Sequence, residues 1–88
     1  MNKCCVVKDR NSHDTILGIV DLEKLDKQKL EEIAKDWFAV ESAEITGEKL
    51  IEFENDIKKY QWANAVFTCD DNGEKRIYDL YFEQTVVL

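Results

Sequence analysis

The side chains best suited to nucleophilic or metal chemistry are three cysteines and a single histidine: Cys4, Cys5, Cys69 and His13. A Cys–His pair works as nucleophile and base only when the two groups lie within hydrogen-bond reach. Cys4 and Cys5 are adjacent in a segment that predicts a strand, so they cannot both face His13 or one metal ion. No C-x-x-C spacing is present, whereas structural zinc sites use close pairs of ligands. We therefore expect Cys69 and one of the two adjacent cysteines to pack in the core. An enzyme that uses Cys69 and His13 is the least favoured function.

The segment TCDDNGEKRIYD, residues 68 to 79, has the acidic composition of a calcium-binding loop. With Gly73 at the glycine position of such a loop, Asp70 occupies an acceptable ligand position. Thr68, however, occupies a position where a carboxylate is needed. Asp79 occupies the last ligand position, where Glu usually binds the ion with both carboxylate oxygens, and the Asp side chain is too short to do so. Both flanks also predict strands, not helices. Asp, Asn and Gly favour tight turns, so the segment predicts the tip of a hairpin without a metal site.

Composition and charge restrict the class of protein further. The 88 residues, 44% of them hydrophobic, predict one domain over residues 1–88 with a single modest core. A net charge of −7 disfavours DNA, RNA and anionic membranes as direct ligands, because contiguous cations are lacking. It suits a basic partner protein, or solubility alone. The sequence shows no membrane-spanning run and no signal-peptide pattern, and its cysteines are odd in number. We expect a cytoplasmic protein without cofactor or metal.

Two segments carry the signals of helices. Asp26 is a good N-cap, and Leu25 and Leu30 flank it with the spacing of a hydrophobic staple. Thr46 is the corresponding cap of a second helix. Gly47 weakens that second prediction, and a strand around residues 50–53 is the alternative.

Four segments predict strands: residues 3–8, 15–20, 62–69 and 75–88. The first two are joined by the polar run DRNSHD, and the last two alternate in polarity. The predicted fold is therefore a two-layer α+β domain with the order ββααββ. In it an antiparallel four-stranded sheet carries both helices on one face.

An acidic row is expected along the second helix. Glu48, Glu52 and Asp56 stand at i, i+4 and i+8, and Glu44 just before the helix extends the row. Like charges at this spacing destabilise a helix by a few tenths of a kcal/mol per pair, so contact of the row with a basic surface is the functional hypothesis. An ordinary solvated helix face is the simpler interpretation and the one favoured for the row by itself, and Lys59 on the same face supports it.

The last predicted strand is longer than most, at about fourteen residues. A bulge or bend is expected at residues 83–85, and the apolar end TVVL pairs either internally or with another subunit. Outward-facing Ile77 and Tyr81, together with Ile51 of the second helix, are candidates for such an interface.

The sequence thus favours a small acidic non-enzymatic binding module. In this hypothesis it inhibits or modulates a basic partner of the nucleic-acid-handling or toxin-like kind. The alternative is a homo-oligomeric accessory protein, such as a homodimer, that assembles through its C-terminal strand. The predicted protein-binding residues are Glu44, Glu48, Glu52, Asp56, Ile77 and Tyr81.

Overall fold

A computed structural model describes residues 2–9 and 16–87. These form five strands, two α-helices and a short 3₁₀ turn, Leu22–Lys24. In chain order the elements are β1 (Asn2–Asp9), β2 (Ile16–Asp21), α1 (Lys27–Phe38), β3 (Ser42–Glu44), α2 (Gly47–Tyr60), β4 (Trp62–Asp71) and β5 (Glu74–Val87). His13 and most of the polar run between β1 and β2 lie outside the described residues.

The prediction of a four-stranded ββααββ sheet is wrong. All described strands belong to one curled, five-stranded antiparallel sheet with the order β2-β1-β5-β4-β3. The additional strand, β3, lies between the two helices and pairs with β4, with Ala43 opposite Cys69. Its three residues are too few to show the alternation of apolar and polar residues by which a strand is recognised. Its pairing also depends on β4, which comes later in the chain.

Both helices begin at the predicted caps. The Asp26 carboxylate accepts a hydrogen bond from the backbone N–H of Lys29 at 2.8 Å, and the Thr46 hydroxyl accepts one from Lys49 at 3.2 Å. Caps of this kind stabilise a helix by about 1 kcal/mol each. Gly47 opens α2 without breaking it, so residues 50–53 are helical and not a strand.

No bulge stands at residues 83–85, where the sequence predicts a bulge or bend, because the register of β5 with β1 is regular from Leu80 to Val87. The first part of β5 pairs with β4 as far as Glu83, and its second part pairs with β1 from Leu80 to Val87. The strand is long because it joins two halves of the sheet. Thr85 and Val87 lie opposite Cys4 and Asn2, so this end of β5 has an internal partner.

The core lies between the helices and one face of the sheet. Alternate residues of β1, β4 and β5 point into it, and each helix adds two buried side chains, Leu30 and Ala34 from α1 and Phe53 and Ile57 from α2. Phe53 meets Phe82 edge to face, with ring centroids 5.2 Å apart. The opposite face of the sheet carries neither helix.

Candidate interaction surface

Two of the three cysteines are buried in the core, as predicted. Cys5 and Cys69 are buried, while Cys4 on the opposite face of β1 is partly exposed. Burial, followed by the neighbouring Cys4, raises the pKa of Cys5 to about 11. Burial, followed by Asp71, also raises the pKa of Cys69. A thiol with a raised pKa remains protonated near neutral pH and is a poor nucleophile.

The candidate calcium loop forms the hairpin turn between β4 and β5, as predicted. Asp71 and Glu74 are the last opposed pair, and Asn72 and Gly73 between them have φ of 53° and 84°. Two successive residues with positive φ identify a type I′ turn, which Asn-Gly adopts readily. Arg76 pairs with both acidic residues, at 3.6 Å from Asp71 and 2.7 Å from Glu74. Within residues 2–9 and 16–87 no group of three or more His, Cys, Asp or Glu side chains is placed to hold a metal ion.

The acidic row lies on α2, away from the core. Glu48 and Glu52 are exposed and Asp56 is partly exposed. Lys49 lies 3.3 Å from the Glu52 carboxylate, so one charge of the row is already paired within the helix. Lys59 also belongs to this side of α2 and lies 5.1 Å from the Tyr60 ring centroid. The row is therefore less negative than its three carboxylates suggest.

The remaining predicted residues lie on a different surface, which we call the open face. It is the side of the sheet opposite the helices. Glu44, Thr68 and Ile77 form a row across β3, β4 and β5, and Tyr81 lies between Asn64 and Lys8. The structure thus divides the six predicted residues into two groups: Glu44, Ile77 and Tyr81 on the open face, and Glu48, Glu52 and Asp56 on α2.

The open face carries large apolar side chains in contact with solvent. Ile77, Ile19 and Trp62 are 71%, 62% and 44% exposed. Val6 lies between Ile19 and Glu83, and Val66 lies opposite Asp79. The register places Glu83 between Val6 and Trp62, and Ile77 lies further along β5, so these side chains are spread over the face and do not form one continuous patch. Large exposed apolar side chains gathered on one face make that face a candidate interaction site.

Aromatic rings form the centre of one half of the open face. Trp62 stacks on Tyr81 with ring centroids 6.1 Å apart, and Tyr60 at the end of α2 stacks on Trp62 at 5.9 Å. Sequence reasoning identified Tyr81 but missed Trp62 and Ile19. The signal for Trp62 was present, because the alternation of β4 that buries Ala63 turns Trp62 to the other side of the sheet.

Charge on the open face is predominantly negative. Five carboxylates (Asp21, Glu44, Asp70, Asp79 and Glu83) share it with two lysines (Lys8 and Lys75), as the strand register shows. The Lys8 ammonium lies 3.9 Å from the Glu83 carboxylate. Tyr and Trp are enriched in protein interfaces, whereas Lys, Glu and Asp are depleted in their centres, so the aromatic residues are the stronger interface signal of this face.

No protein-family model matches the sequence, and no curated protein or solved structure is significantly similar to it. In the part of the chain that the structure describes, no helix combines the length and the apolar character needed to cross a membrane.

Proposed function

We propose that the protein is a non-catalytic binding module that docks a basic partner protein on its open face. The observation that carries the proposal is the exposure of Ile77, Ile19 and Trp62 on a sheet face that neither helix covers. Regular antiparallel sheets with one face in water normally present polar side chains there. Apolar and aromatic side chains at these positions gain free energy when a partner removes them from water.

Charge argues for a basic partner. The five carboxylates of the open face exceed its two lysines, and the whole chain carries −7. A positive protein surface is attracted by this field, which accelerates encounter and fixes orientation. Phosphate backbones are repelled by the same charge, so nucleic acid is not the proposed ligand. An inhibitor or modulator of a nucleic-acid-handling or toxin-like protein is one role that fits such a partner.

The open face is the proposed primary contact, and the acidic row of α2 is secondary. Exposed apolar groups supply the contact energy of an interface, whereas rim charges mostly affect association rates. The pairing of Glu52 with Lys49 further reduces what the row offers to a partner. Glu48, Glu52 and Asp56 remain candidates for long-range attraction.

Assembly of identical subunits through the C-terminal strand has less support. Residues 85–87 form the antiparallel ladder with β1, which uses one hydrogen-bonding edge of that segment. The cytoplasm is the proposed location, because three cysteines are an odd number and cannot form a closed set of disulfides. Self-association through the open face is an alternative that light scattering would detect.

A peptide-display selection tests the proposal. Random peptides are selected on the immobilised protein at low salt, and the enriched peptides are synthesised for affinity measurement. We expect peptides that combine Lys or Arg with apolar side chains, with affinity that falls as salt rises. The variant Trp62→Ala with Ile77→Ala should weaken binding at least about tenfold, as for the loss of interface hot spots.

The matched control reverses the helix row, with Glu48→Lys, Glu52→Lys and Asp56→Lys. On the proposal this variant retains most of the affinity, because the apolar contacts of the open face are unchanged. If the helix variant loses binding and the Trp62/Ile77 variant retains it, the binding site lies on α2 and the proposal is wrong. Light scattering of the unliganded protein completes the test. If the protein is a dimer and the Trp62/Ile77 variant is a monomer, the partner on the open face is a second copy of the chain and not a basic protein.

A further inference from the structure

A cleft of about 400 Å³ opens on the helical side of the sheet, away from the open face. It lies between α2, the 3₁₀ turn and the paired ends of β1 and β5. Its apolar lining comes from Leu22, Leu25, Phe53 and Ile57. Sites for small organic molecules have volumes of about 300–1,000 Å³, are mostly apolar and contain a few polar groups. The cleft matches that description in size and in lining.

The polar rim of the cleft has the opposite charge to the rest of the chain. Lys3, Lys58, Glu54 and Gln84 complete the lining, which therefore includes two lysines and one glutamate. In the described part of the chain neither Lys3 nor Lys58 forms a side-chain ion pair, whereas Lys8, Lys27 and Lys49 each do. The cleft therefore has a local charge of +1 (two positive, one negative) in a protein of net charge −7.

The cleft could not be recognised as a unit in the sequence. Lys3 and Gln84 come from opposite ends of the chain and lie on the inward side of β1 and β5, where Cys5 pairs with Gln84. The apolar lining comes from the 3₁₀ turn and α2. Phe53 and Ile57 are almost fully buried, so the cleft reaches down to the surface of the core.

We propose that the cleft binds a small monoanionic amphiphile, of the class of medium-chain carboxylates. The apolar body would lie against Leu22, Phe53 and Ile57, and the carboxylate would meet Lys3 and Lys58 at the mouth. Charge-assisted hydrogen bonds from ammonium to carboxylate are among the stronger polar contacts, and burial of each methylene adds to the affinity. Glu54 limits the net charge of the rim to +1, which matches one carboxylate better than a doubly charged phosphate.

The test is an amide NMR titration with octanoate, kept below its micelle concentration. We expect saturable shifts confined to the amides around Leu22, Phe53, Ile57 and Gln84. Octylammonium has the same apolar chain with the opposite charge, and should cause no saturable shift at equal concentration. Saturation by both probes alike, or shifts spread over the whole surface, would overturn the proposal.

Two charge variants separate this site from general attraction. Lys3→Gln with Lys58→Gln should weaken octanoate binding by about tenfold, because the contacts to the carboxylate are lost. Lys29→Gln with Lys35→Gln removes the same charge from the exposed side of α1 and should leave affinity unchanged. Equal weakening by the two pairs would overturn the proposal. Both pairs replace exposed side chains, so dispersed spectra are expected from each.

Discussion

The hydrogen bond between Trp37 and Asp9 links the end of α1 to the end of β1, and its removal has a predictable cost. The Trp37 indole N–H donates to the Asp9 carboxylate at 2.7 Å. Asp9 is only 7% exposed, so water replaces the lost donor poorly. Hydrogen bonds to charged groups contribute about 1.5–3 kcal/mol. Asp9 has a further interaction, so we expect the lower value, about 1.5 kcal/mol, for Trp37→Phe.

Trp62→Phe is the matched control for this variant. Trp37 and Trp62 are 42% and 44% exposed, so the two substitutions remove a similar amount of buried apolar surface. Trp62 lies on the open face, and its indole N–H has no hydrogen bond within the described residues. We expect Trp62→Phe to change the free energy of unfolding by less than about 0.5 kcal/mol.

Urea denaturation of the three proteins measures the difference. The slope of the free energy of unfolding against urea should be the same for all, with the midpoint lowered only in Trp37→Phe. In thermal unfolding the loss corresponds to a Tm about 6–12 °C lower, for a domain of this size. Equal destabilisation by both substitutions would refute the reasoning, since it would show that the bond to Asp9 contributes nothing beyond ring packing.

Three further outcomes follow from the backbone and the thiols. Gly73→Ala should destabilise the protein by about 1 kcal/mol because φ is +84°, whereas Gly47→Ala in the first turn of α2 should stabilise it by about 0.5 kcal/mol; chemical denaturation compares the two. Brief iodoacetamide treatment of the native protein should label partly exposed Cys4 well before buried Cys5 and Cys69, and mass spectrometry that finds Cys69 first would contradict this. The pKa of Cys5 is raised from 9.0 to about 11 in the folded protein, so its contribution to stability is complete below pH 9 and lost as pH rises toward 11. Cys5→Ala should therefore make stability fall less steeply over that range.

Local signals in the sequence predicted the local structure correctly. Asp26 and Thr46 cap the two helices, and Asn72 with Gly73 forms the turn between β4 and β5. Each of these caps and turns is determined by residues that lie within a few positions of one another in the sequence. The alternation in β4 and β5 likewise separated buried Phe67 from exposed Ile77.

Pairing between distant segments was not predictable in the same way. β3 is a strand only because Ala43 lies beside Cys69, and its own three residues carry no periodic pattern. The position of β5 between β1 and β4 determines which residues share the open face, and the element order alone did not indicate it. For this reason Ile19 was missed, and the row on α2 was joined with Glu44 although Glu44 belongs to the sheet.

An amide NMR map of a bound basic peptide tests the central claim most directly. The protein would be titrated at low salt with the tightest peptide from the selection, and the shifted amides assigned. Docking on the open face predicts that the largest shifts follow β4, β5 and β1 around Trp62, Tyr81 and Ile77, and that added salt reverses them. Shifts confined to α2 around Glu48, Glu52 and Asp56, with the sheet unaffected, would contradict it.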